Sequence, residues 1–214
     1  MPEVLKTAWA QWPLARRNEE YAKHDPGREP PTYWGSHRGR LLCALFHERK
    51  PRTILDIGCN SGFLTRWLLL EPSVERLVGV DPCQIAINRA RQLTSRIAPG
   101  YADWREGSIF EQKFDTYFDL IVCCEVLEHF TPTEGEQLFD LIYDRLEPTG
   151  TALITSPSPH GPFGLHNSDQ KHITLRNAVE LELMARARGA ASSEVTDHEG
   201  LLHLVWSKDE RLRA

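Results

Sequence analysis

The sequence predicts an α/β fold of three layers, in which helices cover both faces of a seven-stranded, mostly parallel sheet. From Pro51 onward, short β-branched and apolar runs bounded by turn residues alternate with longer stretches of helical spacing. This alternation is typical of β-α-β units. The chain has 214 residues, of which 41% are hydrophobic, and this length and composition suit one domain with one substantial core.

Seven runs predict the strands of this sheet. They are Thr53–Ile57, Leu77–Val80, Ala102–Glu106, Phe118–Cys124, Ala152–Ser156, a run at Val195 and Leu201–Trp206. The last two pair most simply as an antiparallel hairpin. At least five helices are expected, over His37–Glu48, Phe63–Leu70, Ile85–Ile97, Gly135–Leu146 and Leu175–Arg188, with Gly189 placed to end the last one.

The first fifty residues differ in character from the rest of the chain. They contain the aromatic residues Trp9, Trp12, Tyr33 and Trp34 and the stiff stretch DPGREPP. We expect residues 1–50 to form a helical cap, residues 51–208 the core and residues 209–214 a charged tail. The aromatic side chains of the cap either cover the edge of the sheet or form a lid that shields a substrate from water.

Charge and cysteine usage exclude several classes of protein. The chain carries 25 Lys and Arg against 30 Asp and Glu, a formal net charge of -5, so a broadly basic nucleic-acid surface is absent. No basic leader precedes an apolar run, and no eighteen consecutive residues are apolar, which argues against secretion and against a membrane span. Five cysteines without a CxxC pair indicate reduced thiols and a cytoplasmic protein. The sequence leaves the oligomeric state open.

The segment TILDIGCNSGFL carries the strongest chemical signal. Asp56 stands near the end of an apolar strand, and Gly58, Asn60 and Gly62 follow before a helical pattern begins. Glycines allow the backbone to pass close to a ligand. Asp81 ends the next strand, nineteen residues after Gly62, where an acid typically accepts both hydroxyls of a ribose. The pattern therefore predicts a ribose-containing cofactor at the strand ends.

The order of residues in this turn distinguishes two cofactor classes. A dinucleotide site requires G-x-G-x-x-G, so that amides at a helix start meet a pyrophosphate. Here the order is G-x-N-x-G, and Asp56 would place a carboxylate beside any phosphate. A carboxylate suits an ammonium group instead, which favours S-adenosylmethionine and makes a nicotinamide-dependent oxidoreductase the weaker alternative.

From about Pro51 to Trp206, the chain resembles the class I S-adenosylmethionine-dependent methyltransferases. The matching pieces are DIGCNSG, VGVD, the pair Gly107 and Ser108, and FDLIVCCEVLEHF. The resemblance implies a Rossmann-like sheet of seven strands with strand seven antiparallel. It also implies Asp56 and Gly58 near the methionine moiety, Asp81 at the ribose, and Ser108 and Ile109 near the adenine. The other residues expected to bind the cofactor are Cys59, Asn60, Gly62, Pro82 and Glu125. Family members commonly have glycine at the position of Asn60 and an acid at that of Ser108.

A second group of polar residues follows the fourth strand. If EVLEHF enters a helical turn, Glu125, Glu128 and His129 share one face at the rim of the cofactor site. His166, Asp169 and His172 follow in the loop after strand five, so a divalent metal is possible there. The alternative is that His172 caps the helix starting near Thr174 and that Glu128 is a solvated first-turn acid.

Two families share this second motif. It resembles the metal site of small-RNA 3′-terminal 2′-O-methyltransferases, in which ExxEH and a later histidine hold the ion, although the Phe-Glu-Trp run of those enzymes is missing. It equally resembles ubiquinone-type and other small-molecule O-methyltransferases, which need no ion. We therefore expect no metal, and the set that would hold one is Glu125, Glu128, His129 and His172.

The function expected from the sequence is methyl transfer from S-adenosylmethionine to a small-molecule acceptor, with a hydroxyl as the accepting group. His129 is the preferred general base, followed by His172 and Glu128, because an imidazole titrates near neutral pH. Two alternatives remain open. One is a metal-dependent RNA 3′-terminal 2′-O-methyltransferase, and the other is a sensor or scaffold that binds the cofactor without transferring methyl.

Overall fold

The computed structural model describes residues 37–95, 98, 100–162 and 172–208. Its strands are β1 (Thr53–Ile57), β2 (Arg76–Asp81), β3 (Ala102–Glu106), β4 (Phe118–Cys124), β5 (Leu146–Pro157), β6 (Ser192–His198) and β7 (Leu201–Ser207). They form one sheet in the order β3-β2-β1-β4-β5-β7-β6. Strand β7 is antiparallel to both of its neighbours, and the other pairs are parallel. The predicted seven-stranded sheet is confirmed.

The α-helices of the described residues are α1 (His37–Arg49), α2 (Gln84–Thr94), α3 (Pro132–Arg145) and α4 (Ala178–Ala187). Helix α4 begins three residues later than the predicted start at Leu175. The reason is a capping box, in which Asn177 and Glu180 each accept a hydrogen bond from the other's backbone amide. Gly189 follows the helix with φ +79°, as predicted for its end.

The predicted helix over Phe63–Leu70 is wrong in type. The chain forms turns and then a short 3₁₀ helix, Arg66–Leu70, in which Leu68 donates to the carbonyl of Thr65. Leu64, Trp67, Leu68 and Leu69 are all buried. The segment is therefore enclosed around its circumference, whereas the amphipathic helix that we predicted would bury one face only.

Alternate residues of the central strands face opposite sides of the sheet, and each side has its own apolar cluster. Ile54 belongs to the cluster that contains α1 and α2, and Leu55 belongs to the cluster under α3 and α4. Cys123 and Cys124 point to opposite faces in the same way. The three-layer arrangement is confirmed, and residues 41–46 of α1 are part of its apolar packing.

Several sequence predictions fall outside the described residues. They are the cap over residues 1–36 with Trp9, Trp12, Tyr33 and Trp34, the tail over residues 209–214, and His166 and Asp169 in the loop. The division into cap, core and tail therefore stays a prediction. Within the described ranges, no helix has both the length and the apolar character needed to cross a bilayer.

Candidate active site

The carboxyl ends of β1 and β4 lie side by side, and the chain leaves these two strands in opposite directions along the sheet. Such a point opens a crevice in an α/β sheet. Two cavities of about 380 Å³ and 530 Å³ lie there, and they share Gly58, Asn60 and Glu125. The smaller cavity is also lined by Arg38, Asp56, Cys59, Phe63, Leu64 and Cys124. The larger is also lined by Ile57, Val80, Asp81, Pro82, Gly107, Ser108, Ile109, Val126, His129 and Phe130.

The turn after β1 depends on two glycines. Gly58 has φ +70°, and a Cβ atom there would lie 2.2 Å from Cγ2 of Val126. Gly62 has φ +69°, and its Cβ would lie 2.5 Å from Cη2 of Trp104. Asn60 adopts φ +50° between them, and its Oδ1 accepts a hydrogen bond of 2.7 Å from the amide of Ser61. Asparagine thus supports the left-handed conformation in place of the family's glycine.

Asp81 joins this turn to the start of α2. Its Oδ2 accepts a hydrogen bond of 2.9 Å from the amide of Asn60, and its Oδ1 accepts one of 2.8 Å from the amide of Cys83. These two bonds fix the carboxylate at the wall of the larger cavity. Ser108 and Ile109 line the same cavity, and the Ser108 Oγ accepts a bond of 3.3 Å from the amide of Phe110.

Asp56 lies beneath the turn, at the wall of the smaller cavity. It is buried, and its Oδ2 accepts a hydrogen bond of 2.5 Å from the hydroxyl of Thr65. Burial raises the pKa of Asp56 to about 7; the charge of Asp81 adds to this rise, and the Thr65 hydrogen bond opposes it. Burial also raises the pKa of the Cys59 thiol, which keeps that side chain protonated and unreactive.

Arg38 is a site residue that sequence reasoning missed. Its Nη1 lies 3.4 Å from Oε1 of Glu125, the same oxygen that accepts a hydrogen bond of 3.0 Å from the hydroxyl of Thr155. The smaller cavity therefore has a guanidinium as well as carboxylates in its wall. The sequence did contain a signal for this position of Arg38. Helix α1 is joined by a short turn to the start of β1, so the helix must begin near the carboxyl end of that strand, and Arg38 is in its first turn.

The segment after β4 differs from the predicted helical turn. Glu125 has φ +57° and precedes the 3₁₀ turn Leu127–His129, so Glu125, Glu128 and His129 do not share one helical face. Glu128 is 1% exposed, and its Oε2 accepts a hydrogen bond of 3.4 Å from the Ser156 hydroxyl. Burial, and secondarily the charge of Glu125, raise the pKa of Glu128 to about 8. The alternative of a solvated acid at Glu128 is therefore wrong.

The two predicted histidines lie close to each other. His129 is one of the residues that line the larger cavity, and its ring centroid lies 5.5 Å from that of His172. Among the described residues, no group of three or more His, Cys, Asp and Glu side chains is arranged to hold a metal ion. His166 and Asp169 lie outside the described residues.

A family model described as "Methyltransferase domain" matches residues 33–194, which is most of the chain. The small RNA 2′-O-methyltransferase of Mus musculus is 26% identical over 163 residues, covering 70% of this chain and 38% of that protein. The mitochondrial ubiquinone biosynthesis O-methyltransferase of Schizosaccharomyces pombe is 27% identical over 126 residues, covering 58% and 45%. The chain thus spans less than half the length of either relative.

A solved structure of an N-methyltransferase has a similar fold. The N-methyltransferase NodS from Bradyrhizobium japonicum WM9, in complex with S-adenosyl-L-homocysteine, has a TM-score of 0.65 at 23% identity. The match covers 91% of this chain and 97% of NodS. The family match, the strand order and the acids at the ends of β1 and β2 agree, and the chain belongs to the methyltransferase domain family, in the class I S-adenosylmethionine-dependent group.

Proposed function

We propose that the protein transfers a methyl group from S-adenosylmethionine to a small-molecule acceptor, with a hydroxyl oxygen as the accepting atom. The pair of adjoining cavities at the carboxyl ends of β1 and β4 carries this proposal. One cavity has the polar wall that an amino acid requires, and the other has the acid and apolar wall that a nucleoside requires. An imidazole, that of His129, lines the larger cavity and supports an acceptor that must lose a proton.

The described residues fit the donor part by part. In this proposal Asp81 accepts the two ribose hydroxyls, and Ser108 and Ile109 contact the adenine; all three line the larger cavity. Arg38 and Asp56 offer opposite charges to the carboxylate and ammonium of the methionine tail. Gly58 and Gly62 shape the turn beside the proposed ligand, because a Cβ atom at either position would collide with Val126 or Trp104.

When bound, S-adenosylmethionine supplies a methyl group on a positively charged sulfur, so the group is already activated for displacement. The protein's own contribution is to hold the acceptor oxygen in line behind that methyl, which is worth about 7–11 kcal/mol when alignment is good. His129 would take the hydroxyl proton, and His172 is the second candidate. Glu128 is not among the described residues that line either cavity, so we assign it no contact with the acceptor.

Metabolite extracts incubated with the protein and deuteriomethyl-labelled S-adenosylmethionine test the proposal by mass spectrometry. We expect one metabolite to gain a labelled methyl on oxygen, and we expect the gain to vanish with Asp81→Asn and to fall strongly with His129→Ala. Calorimetry with S-adenosylhomocysteine is run in parallel. Tight binding without a methylated product in any extract would contradict transferase activity and favour a sensor or scaffold.

The relatives named as small RNA 2′-O-methyltransferases support a second candidate, a methyl transfer to the 3′-terminal ribose of RNA. Short RNAs that end in a ribose or in a 2′-deoxyribose, with added Mn²⁺ or Mg²⁺ or with a chelator, separate the two candidates. Methylation of the ribose-ended RNA that requires the ion would overturn the small-molecule proposal.

A further inference from the structure

Arg176 is a buried cation that the proposed chemistry does not use. It lies in the segment before α4 and is 6% exposed. Its Nη1 lies 3.4 Å from the carbonyl oxygen of Leu127, at the long end of hydrogen-bond range. Its Nη2 has no hydrogen-bond partner among the described residues. The guanidinium therefore receives little compensation for its burial.

The carboxylates nearest to Arg176 are engaged elsewhere. Glu136 and Glu180 act on its pKa, which burial nevertheless lowers. Glu136 forms an ion pair of 2.8 Å with Arg188. Glu180 accepts a hydrogen bond of 2.7 Å from the amide of Asn177 at the start of α4. No described carboxylate lies within ion-pair distance of Arg176.

The fold nevertheless makes room for this guanidinium. Gly135 lies in the first turns of α3, and a Cβ atom there would be 2.2 Å from Nη2 of Arg176. A methionine would fill a similar volume without the cost of desolvating a charge, and such replacements are often neutral or stabilising. We therefore expect Arg176→Met not to lower the stability of the protein.

The contacts of this segment converge on the turn that carries His129. The amides of Ile173 and Thr174 donate hydrogen bonds of 2.7 Å and 3.2 Å to the carbonyl of Glu128. Arg176 approaches the preceding carbonyl, that of Leu127. Residues 173–176 thus contact two successive carbonyls of the Leu127–His129 turn, whose last residue, His129, lines the larger cavity.

We infer that Arg176 is a positioning residue, whose guanidinium fixes the Leu127–His129 turn and so sets where the imidazole of His129 lies. The inference rests on the proposed function only in giving His129 a role in proton transfer. The placement of the ring can be measured without an acceptor.

The test compares Arg176→Met and Arg176→Lys with a matched control, Arg188→Met. Arg188 also reaches α3, through Glu136 and Asp140, but it makes no hydrogen bond with the turn. The probe is the ¹H–¹³C ring signal of His129, assigned with His129→Gln and recorded with and without S-adenosylhomocysteine. Denaturant unfolding and calorimetry with S-adenosylhomocysteine accompany it.

We expect both Arg176 variants to shift and broaden the His129 ring signal, while Arg188→Met leaves it unchanged. Arg176→Met should unfold at the same denaturant concentration as the wild type or at a higher one, and its Kd for S-adenosylhomocysteine should change by less than about threefold. With an acceptor in hand, kcat should fall by about 10- to 100-fold, because a small misplacement of a reacting group suffices.

An unchanged His129 signal in Arg176→Met would overturn the inference. A wild-type signal in Arg176→Lys would also overturn it, because the charge alone would then account for the effect. If Arg176→Met fails to fold, the Arg176→Lys variant decides: a shifted His129 signal supports the inference, and an unchanged one overturns it. Failure to find a methylated product would contradict the proposed function and leave the ring measurement standing.

Discussion

The carboxyl of Asp56 is buried beneath the glycine turn, and its pKa is raised to about 7. In the proposed complex the ammonium group of the donor's tail lies beside Asp56 and favours the charged carboxylate, so binding should lower this pKa and release a proton. We expect the affinity for S-adenosylhomocysteine to fall as the pH drops from 7 to 6, by up to about tenfold. Calorimetry between pH 6 and 8, in two buffers of different ionisation enthalpy, measures both the affinity and the released proton.

Asp56→Asn is the control for this experiment, because it keeps the shape of the side chain and its acceptor for the Thr65 hydroxyl. The variant should bind more weakly at every pH and should release no proton. A wild-type affinity that stays constant from pH 6 to 8 would show that Asp56 does not meet the ammonium group.

At the scale of elements, the turns after β1 and β4 meet where Gly58 faces the side chain of Val126. A Cβ atom on Gly58 would lie 2.2 Å from Cγ2 of Val126, and Gly58 also has φ +70°. Gly58→Ala should therefore lower the free energy of unfolding by about 1–3 kcal/mol, through overpacking and backbone strain. Denaturant unfolding of the variant measures this loss.

A second substitution separates the two causes. Val126→Ala removes Cγ2, so the double variant should recover the overpacking part of the loss and retain the strain. Asn60→Gly, two residues along the same turn, should cost little because Asn60 already adopts positive φ. A double variant no more stable than Gly58→Ala would mean that strain alone causes the loss.

Helix α1 supplies Arg38 to the smaller cavity, and its proposed partner is the carboxylate of the donor's tail. Arg38→Met should weaken the binding of S-adenosylhomocysteine by about tenfold, in the range of a charged hydrogen bond. It should leave the binding of methylthioadenosine unchanged, because that molecule lacks the amino-acid tail. Calorimetry measures both ligands, with Arg40→Met on the same helix as the control. An equal loss for both ligands would place Arg38 elsewhere than at the tail.

The elements that the sequence predicted best are those with a local signal. The strand limits Thr53–Ile57 and Phe118–Cys124 were predicted without error, because turn residues bound each apolar run. Residues 66–70 were predicted in the wrong helix type, since their burial on all sides depends on distant α1. Arg38 was missed because its approach to Glu125, 87 positions along the chain, leaves no local pattern in the sequence. Glu128 was partly misread because the burial of its side chain leaves no local pattern either.

For the whole molecule, enclosed titratable groups set the pH dependence of folding. Burial and neighbouring imidazoles lower the pKa of His37 and His203 from 6.5 to about 4. The contribution of these neutral imidazoles to the free energy of unfolding is therefore complete above pH 6.5 and is lost as the pH falls toward 4. Burial raises the pKa of Asp56 to about 7 and that of Glu128 to about 8. The contribution of these neutral carboxyl groups to the free energy of unfolding is complete below the ordinary carboxyl pKa. It is lost as the pH rises to about 7 for Asp56 and to about 8 for Glu128.

Below pH 6.5 the two effects oppose each other, because a rising pH increases the contribution of the histidines to stability and decreases that of the carboxyl groups. Above pH 6.5 only the decrease from the carboxyl groups remains. We expect the free energy of unfolding to vary little between pH 5 and 6.5 and to fall between pH 6.5 and 8, as denaturant unfolding at each pH would measure. His203→Phe removes one imidazole, so its stability should decline continuously from pH 5 to 8. A wild-type stability that rises between pH 6.5 and 8 would contradict the raised pKa values of Asp56 and Glu128.

The aromatic rim of the larger cavity offers a route to engineered donors. Phe130 lines that cavity, which we propose holds the nucleoside, and its ring meets that of Phe110 edge to face, with centroids 5.4 Å apart. Phe110 is 37% exposed, so trimming it opens the rim without removing a core side chain. A base carrying an extra alkyl substituent could then enter the trimmed enzyme and be refused by the native one. If the transferable methyl of that donor carried an isotopic label, such a bump-and-hole pair would mark the products of the proposed transfer by this one protein.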